Sequence, residues 1–300
     1  MRREYRRAFT LIELLVVISI LALLIAVLIP SLSRARAGSR ATVCASRLRE
    51  LARGFVMYGD GNGGYLAPMR PPDLGGGTGN EHNYYDVGNG KKYRPRWAVL
   101  IGSYVGAHAF PSPESKPDRD DFVHEVYHCP EAPEWTDERN FAYGYNYQFL
   151  GNSRTLPSGR FINFPVNVTR VRNGQLVIIA DAMGTAGGFP ARERGDYEND
   201  GATASAMGNH GYTLDPPRLT AASDHGTGDA NSRRSAVHPR HMGKVNAVFA
   251  DAHAEALTDE SLGYRRHEDG RYVDLDSVEN KPINVKFSLS GRDDEPPRKQ

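Results

Sequence analysis

Residues 9–29 form an unbroken run of 21 in which only Thr10, Glu13 and Ser19 are polar. Wound as an α-helix at about 1.5 Å per residue, the run spans roughly 31 Å, close to the ~30 Å depth of a bilayer's hydrocarbon core. It is built of Leu, Ile, Val and Ala with no Gly, so propensity also favours the helix. Residues 9–30 therefore read as a transmembrane helix. Glu13 lies only four residues inside it, although an acid at the centre of an inserted helix costs about 2.5–3.5 kcal/mol. Either the carboxylate reaches the headgroups, or it meets a cation at membrane depth. A cut between Ala8 and Phe9 would supply one, because the new α-amine would lie about one helical turn from Glu13. A neighbouring copy of the helix could then offer its amine to this carboxylate.

Beyond Pro30 the helical period resumes. Ala41, Cys44, Leu48, Leu51, Ala52 and Phe55 recur at three- and four-residue spacing, an apolar stripe reaching about Tyr58. Arg34, Arg36, Arg40, Arg47, Arg49 and Arg53 lie mainly off the stripe, suited to acidic headgroups or to solvent. Pro30 removes one backbone hydrogen bond and is expected to kink the rod. The expectation is one helix of about 50 residues, with 31–59 as its amphipathic continuation, ended by the glycine-rich stretch 59–64. With 31 Gly and 19 Pro, the rest reads as a loop-rich, mainly β head over 60–257. A net charge of +1 gives no electrostatic case for nucleic acid. Cys44 and Cys129 either pair, closing a loop of about 85 residues worth around 4 kcal/mol, or stay as two buried free thiols.

Within the head, Trp97, Leu100, Ile101, Tyr104 and Val105 fit one face of a short amphipathic helix. Phe141, Tyr143, Tyr145, Tyr147 and Phe149 alternate with smaller or polar residues, as in a strand with one aromatic face. Residues 175–180 read as a buried strand ending at Asp181. Residues 184–235 carry few large apolar side chains and suggest an exposed insertion. Residues 245–250 read as a strand, Asp251 and Ala252 as a tight turn, and 254–257 as the return strand. The charged stretch 258–300 reads as a frayed tail.

The segment Arg6-Arg7-Ala8-Phe9-Thr10-Leu11-Ile12-Glu13, followed by the apolar run, resembles the class III signal of type IV pilins and type II secretion pseudopilins. The resemblance implies that residues 1–8 are a leader cut off between Ala8 and Phe9 by a membrane prepilin peptidase, and that Phe9 is then N-methylated. It also implies that Glu13 guides assembly into a helical filament. Pro30 falls where the family tends to have Pro, and Ala8 stands where it usually has Gly. His241 and Asp251, with nine residues between them, resemble the His-x9-Asp-Gly signature of bacterial prepilin-type proteins, with Ala252 in place of the Gly. A positive φ at that position would cost Ala252 about 1–2 kcal/mol. Tyr127-His128-Cys129-Pro130, Tyr143-Gly144-Tyr145-Asn146 and Ala180-Asp181 look like the same group.

A pilin-like chain is expected to have an α+β fold, a long N-terminal helix packed on a mainly antiparallel β head. By the same resemblance it would be a structural subunit and not an enzyme. Its partners would be prepilin peptidase, other pilin-like subunits, an inner-membrane assembly platform and the membrane. The head would lie outside the bacterial cytoplasmic membrane on a single span. Charge does not set that orientation, since Arg2, Arg3, Arg6 and Arg7 are balanced by Arg34, Arg36 and Arg40. A secretory signal ending at Ala35-Arg36-Ala37 fits less well, because the run is too long and Glu13 interrupts it. No cofactor is expected. A zinc site from His238, His241, Asp251 and His253, or from His124 and His128 beside Cys129, would need distant chain ends to meet. His241 and His253 flank a strand, roughly 20 Å or more apart. A membrane-tethered binding module or metal-dependent hydrolase, using the signal only for export, is the alternative.

Overall fold

The computed structural model describes residues 10–108, 124–132, 142–151, 153–155, 161–163, 166–194, 207, 211–220, 233–273 and 281–296. Helix α1 (Leu11–Gly61) is continuous for 51 residues, about 77 Å at 1.5 Å per residue. It passes through Pro30 without interruption and ends at an Asn62 cap, with Gly63 and Gly64 at positive φ. Its first half touches nothing, since residues 11–36 are all exposed. Its second half buries Cys44, Leu48, Leu51, Ala52, Gly54, Phe55 and Gly59, the stripe that the three- and four-residue spacing marks. Gly54 is needed there, because a Cβ would stand 2.8 Å from Val105 Cγ1.

Among the described residues eight strands follow: β1 (Tyr84–Asp86), β2 (Lys91–Tyr93), β3 (Tyr143–Tyr145), β4 (Ser153–Thr155), β5 (Phe161–Asn163), β6 (Val177–Asp181), β7 (Val245–Phe249) and β8 (Ala254–Leu257). Four of them form two antiparallel pairs, β1 with β2 and β4 with β5, and the central sheet runs β3-β6-β7-β8, antiparallel throughout. The fold is α+β and pilin-like in plan, a long helix laid on antiparallel sheet. Every residue of β6 and of β7 is buried, so both faces of the sheet are covered. On one face Ile179 and Val248 share a cluster with Cys44, Leu48 and Phe55 of α1. On the other, Val245, Ala247 and Phe249 share a cluster with Tyr264, Tyr272 and Phe287. Period-two alternation along β7 divides its side chains between the two cores.

That second core corrects two expectations. The segment after Leu257 is no frayed tail over its described residues: Leu262, Tyr264, Tyr272 and Phe287 are at most 1% exposed. Two of its acids are drawn into ion pairs. Asp259 accepts from Arg266 Nε at 2.5 Å and from Tyr272 Oη at 2.9 Å, and Asp293 accepts from Arg218 Nε at 3.1 Å. Within 184–235, residues 184–187, 211–219 and 234–235 are buried, not an exposed insertion. Arg234 is sealed in by the carbonyls of Pro216, Pro217 and Val273 and by the Tyr264 ring.

The aromatic run is also corrected. Strand β3 stops at Tyr145, and Tyr147–Gly151 winds into a π turn with all five residues buried. Phe141 lies outside the described residues. With core on both sides, the alternation of aromatics carries no inside–outside signal. Helix α2 (Trp97–Gly102) is likewise buried all round instead of amphipathic, and a 3₁₀ turn takes Ser103–Val105.

Candidate functional site

The exposed half of α1 opens with a capping box. Thr10 N and Thr10 Oγ1 both donate to Glu13 Oε2 at 2.8 Å, and Glu13 N donates to Thr10 Oγ1 at 3.2 Å. Ser19 Oγ donates to Val16 O at 2.8 Å. The polar side chains of the span are thus hydrogen-bonded within their own helix, as a lipid environment demands. Fifteen residues between positions 11 and 29 are Leu, Ile or Val. At about 0.3–0.6 kcal/mol each they favour insertion by roughly 5–9 kcal/mol, more than the about 2.5–3.5 kcal/mol an acid costs. Apolar content therefore outweighs Glu13, and a membrane anchor fits. The leader with Ala8, and Phe9, lie outside the described residues.

Where α1 leaves the exposed zone, the head grips it. Arg40 Nε bonds Glu131 Oε1 and Arg47 NH2 bonds Glu125 Oε2, both at 2.6 Å. Arg49 NH2 reaches Ala254 O at 3.4 Å. Three arginines that the sequence leaves between headgroups and solvent are thus tied to the head. Such exposed pairs contribute only about 0–1 kcal/mol each; the buried stripe beneath them supplies the adhesion.

Directly under this joint lies a buried polar knot of Cys44, Cys129, Asp181 and His241, whose ligating atoms all lie within 4.8 Å of one another. Four parts of the chain meet there: α1, the stretch after the 3₁₀ turn Glu125–Tyr127, the end of β6, and the bend before β7. Cys44 Sγ is 3.2 Å from Asp181 Oδ1, Cys129 Sγ is 3.5 Å from His241 Nε2, and His241 Nε2 is 3.3 Å from Asp181 Oδ2. Asn246 N donates to Asp181 Oδ2 at 2.7 Å, while Asn246 Nδ2 holds Ala41 O at 3.0 Å. The backbone fixes both flanks: His238 N donates to Asp181 O at 2.8 Å, and His241 and Lys244 exchange hydrogen bonds. The Arg240 guanidinium caps the knot from Ala142 O and Ala182 O.

Cys44 and Cys129 are both buried, and their sulfurs are not bonded to each other. Burial, then the hydrogen bond to Cys129, pushes the Cys44 thiol well up. Hydrogen bonds from Cys44 and His241, with Arg240 nearby, outweigh burial and bring Cys129 down to about 5. Burial opposes charge on His241, but Asp181 and Cys129 raise it to about 9. The knot thus gathers two sulfurs, a carboxylate and an imidazole, with the Arg240 guanidinium held nearby. All four groups are at most 4% exposed, whereas reactive cysteines sit in partly open sites.

Residues 3–29 match the family described as the prokaryotic N-terminal methylation motif. The chain carries a prepilin-type methylation signal. The match includes Ala8, Phe9, Glu13 and the apolar span, and ends before the head. No curated protein and no solved structure matches the chain.

In the head of this signal-bearing chain, the histidines fall in different places. His241 and Asp251 sit at opposite ends of β7. His241 turns inward to Asp181 and Cys129, and Asp251 caps the outer turn by accepting from His253 N at 3.1 Å. His253 pairs with Asp251 and stacks on Phe249 at 4.5 Å. Asp251 and His253 therefore do not form a shared site with His241. His124 and His128 are exposed, whereas their neighbour Cys129 is buried. Ala252 adopts φ +65°, the left-handed turn position at which glycine is usual. The meeting of Cys44, Cys129 and His241 with Asp181 was not readable from spacing. Each residue stands out in its own segment, but nothing local joins positions spread over about 200 residues.

Proposed function

We propose that this protein is a pilin-like subunit, cut between Ala8 and Phe9 by prepilin peptidase and methylated on Phe9. It then assembles through α1 into a filament of the type II secretion or type IV pilus kind. The observation that carries this reading is the methylation motif on residues 3–29, placed on a helix whose first half is bare and apolar and whose second half is built into the head. A bare helical half suits packing in lipid first and against identical helices afterwards. The head stands outside the cytoplasmic membrane, and an inner-membrane platform adds subunits one at a time.

Glu13 is the registering group, paired with the Phe9 amine of a neighbouring subunit. In the free chain its carboxylate is held by Thr10, so assembly exchanges a local cap for an intermolecular ion pair. Two substitutions separate these roles. Glu13→Ala removes cap and charge; Thr10→Ala removes the hydroxyl cap and keeps the charge, at about 0.5–2 kcal/mol. Both variants are expected in the membrane fraction, with only Thr10→Ala entering sheared filaments. Wild-type incorporation of Glu13→Ala would contradict the pairing.

A further inference from the structure

We propose that Cys44, Cys129, Asp181 and His241 bind a structural zinc ion that pins α1 to the central sheet. The inference is independent of filament assembly and concerns only the head. Two thiolates, an imidazole and a carboxylate form the borderline-soft donor set that zinc takes in closed, four-ligand sites. The distances suit it. With zinc–sulfur bonds of about 2.3 Å and zinc–nitrogen or –oxygen bonds of about 2.0 Å, the edges of the tetrahedron are roughly 3.3–3.8 Å. Two separations between the proposed donor atoms, Cys44 Sγ to Asp181 Oδ1 at 3.2 Å and Cys129 Sγ to His241 Nε2 at 3.5 Å, are close to that range. A pair at the 4.8 Å limit needs to close by about 1–1.5 Å.

The surroundings are those of a cation site. Asn246 N occupies Asp181 Oδ2, which leaves Oδ1, the oxygen beside Cys44, as the ligating atom. Outer hydrogen bonds of this kind orient the ligands of metal sites. Two thiolates and a carboxylate bring three negative charges into a sealed pocket; a divalent cation cancels two, and Arg240, fixed on Ala142 O and Ala182 O, faces the third. A disulfide between the cysteines would explain neither the buried carboxylate nor the imidazole that converge on them. The ligands come from four separate segments, so the ion would cross-link α1 to both central strands and to the loop that carries Cys129. Closed sites of this kind serve folding, with no open position for a substrate.

The test uses the full chain, purified in detergent without chelator and again after reduction and reloading with zinc alone. The expected result is one zinc per chain, X-ray absorption showing two sulfur and two nitrogen or oxygen neighbours, and thiols that alkylate only after zinc is withdrawn. Cobalt in its place should give the intense visible bands of a tetrahedral thiolate site. Asp181→Asn should weaken zinc binding at least about tenfold. If that variant does not fold, the wild-type cobalt spectrum still decides. A Cys44–Cys129 disulfide in the native protein, sub-stoichiometric zinc after reloading, or bound zinc with no sulfur neighbour would each overturn the proposal.

Discussion

Truncation of Phe55 measures how firmly the head holds the rod. Its ring is fully buried, stacked on Tyr145 with centroids 4.6 Å apart and on Trp97 at 5.2 Å. It therefore joins α1 to α2 and to β3 at one point. Replacing a buried Phe by Ala costs about 3–5 kcal/mol, and two aromatic stacks put this site toward the upper end. Against a net stability of about 5–15 kcal/mol that is a large fraction. At roughly 2–4 °C per kcal/mol for a domain of this size, the midpoint should fall by about 6–20 °C. The next residue is the control. Val56 is 42% exposed, and Val56→Ala should stay within about 0.5 kcal/mol, or about 2 °C. Near-ultraviolet circular dichroism of the full chain in detergent micelles follows both melts. If Phe55→Ala melts with the wild type, or Val56→Ala falls as far, the second half of α1 is not part of the head's core.

Ala252→Gly should stabilise the head. Relief of the positive φ is worth about 1–2 kcal/mol, and the greater freedom of Gly in the unfolded chain takes back about 0.5–1 kcal/mol. A higher urea midpoint is expected; a lower one would show that the Ala252 methyl matters more than its backbone. His238 makes stability fall in acid. Burial first, then Arg240, Arg194, His241 and Arg266, push its imidazole down to about 2. Its folded value lies below its unfolded value of about 6.5, so its contribution is intact above that pH and lost as pH drops. The loss is about 1.4 kcal/mol by roughly pH 5.5. His238→Asn should flatten that acid slope in urea titrations, and an unchanged slope would remove His238 as its cause.

Some of this architecture was legible in the chain because local patterns carried it. The apolar run, the stripe from Cys44 to Phe55, and the β7–β8 hairpin with its turn at Asp251 and Ala252 all sit within short windows whose period matches the element formed. The aromatic run misled because both faces of the sheet are covered, so alternation at Tyr143 and Tyr145 no longer separates core from solvent. The C-terminal segment misled because its buried residues Tyr264, Tyr272 and Phe287 find their partners on β7, and Asp293 pairs with Arg218, 75 positions earlier. The four-residue knot is the extreme case. Asp181 attracted notice as the end of a strand and as part of the resemblance, and the contact that gives it meaning comes from Cys44, 137 positions earlier.

Whether this chain becomes a filament subunit turns on the bond between Ala8 and Phe9. Intact-mass and N-terminal fragment spectra of the protein extracted from membranes test it directly. The expected product is a chain that begins at a methylated Phe9, eight residues shorter than the translated sequence. A chain that keeps Met1, or one that begins after Ala37, would contradict it.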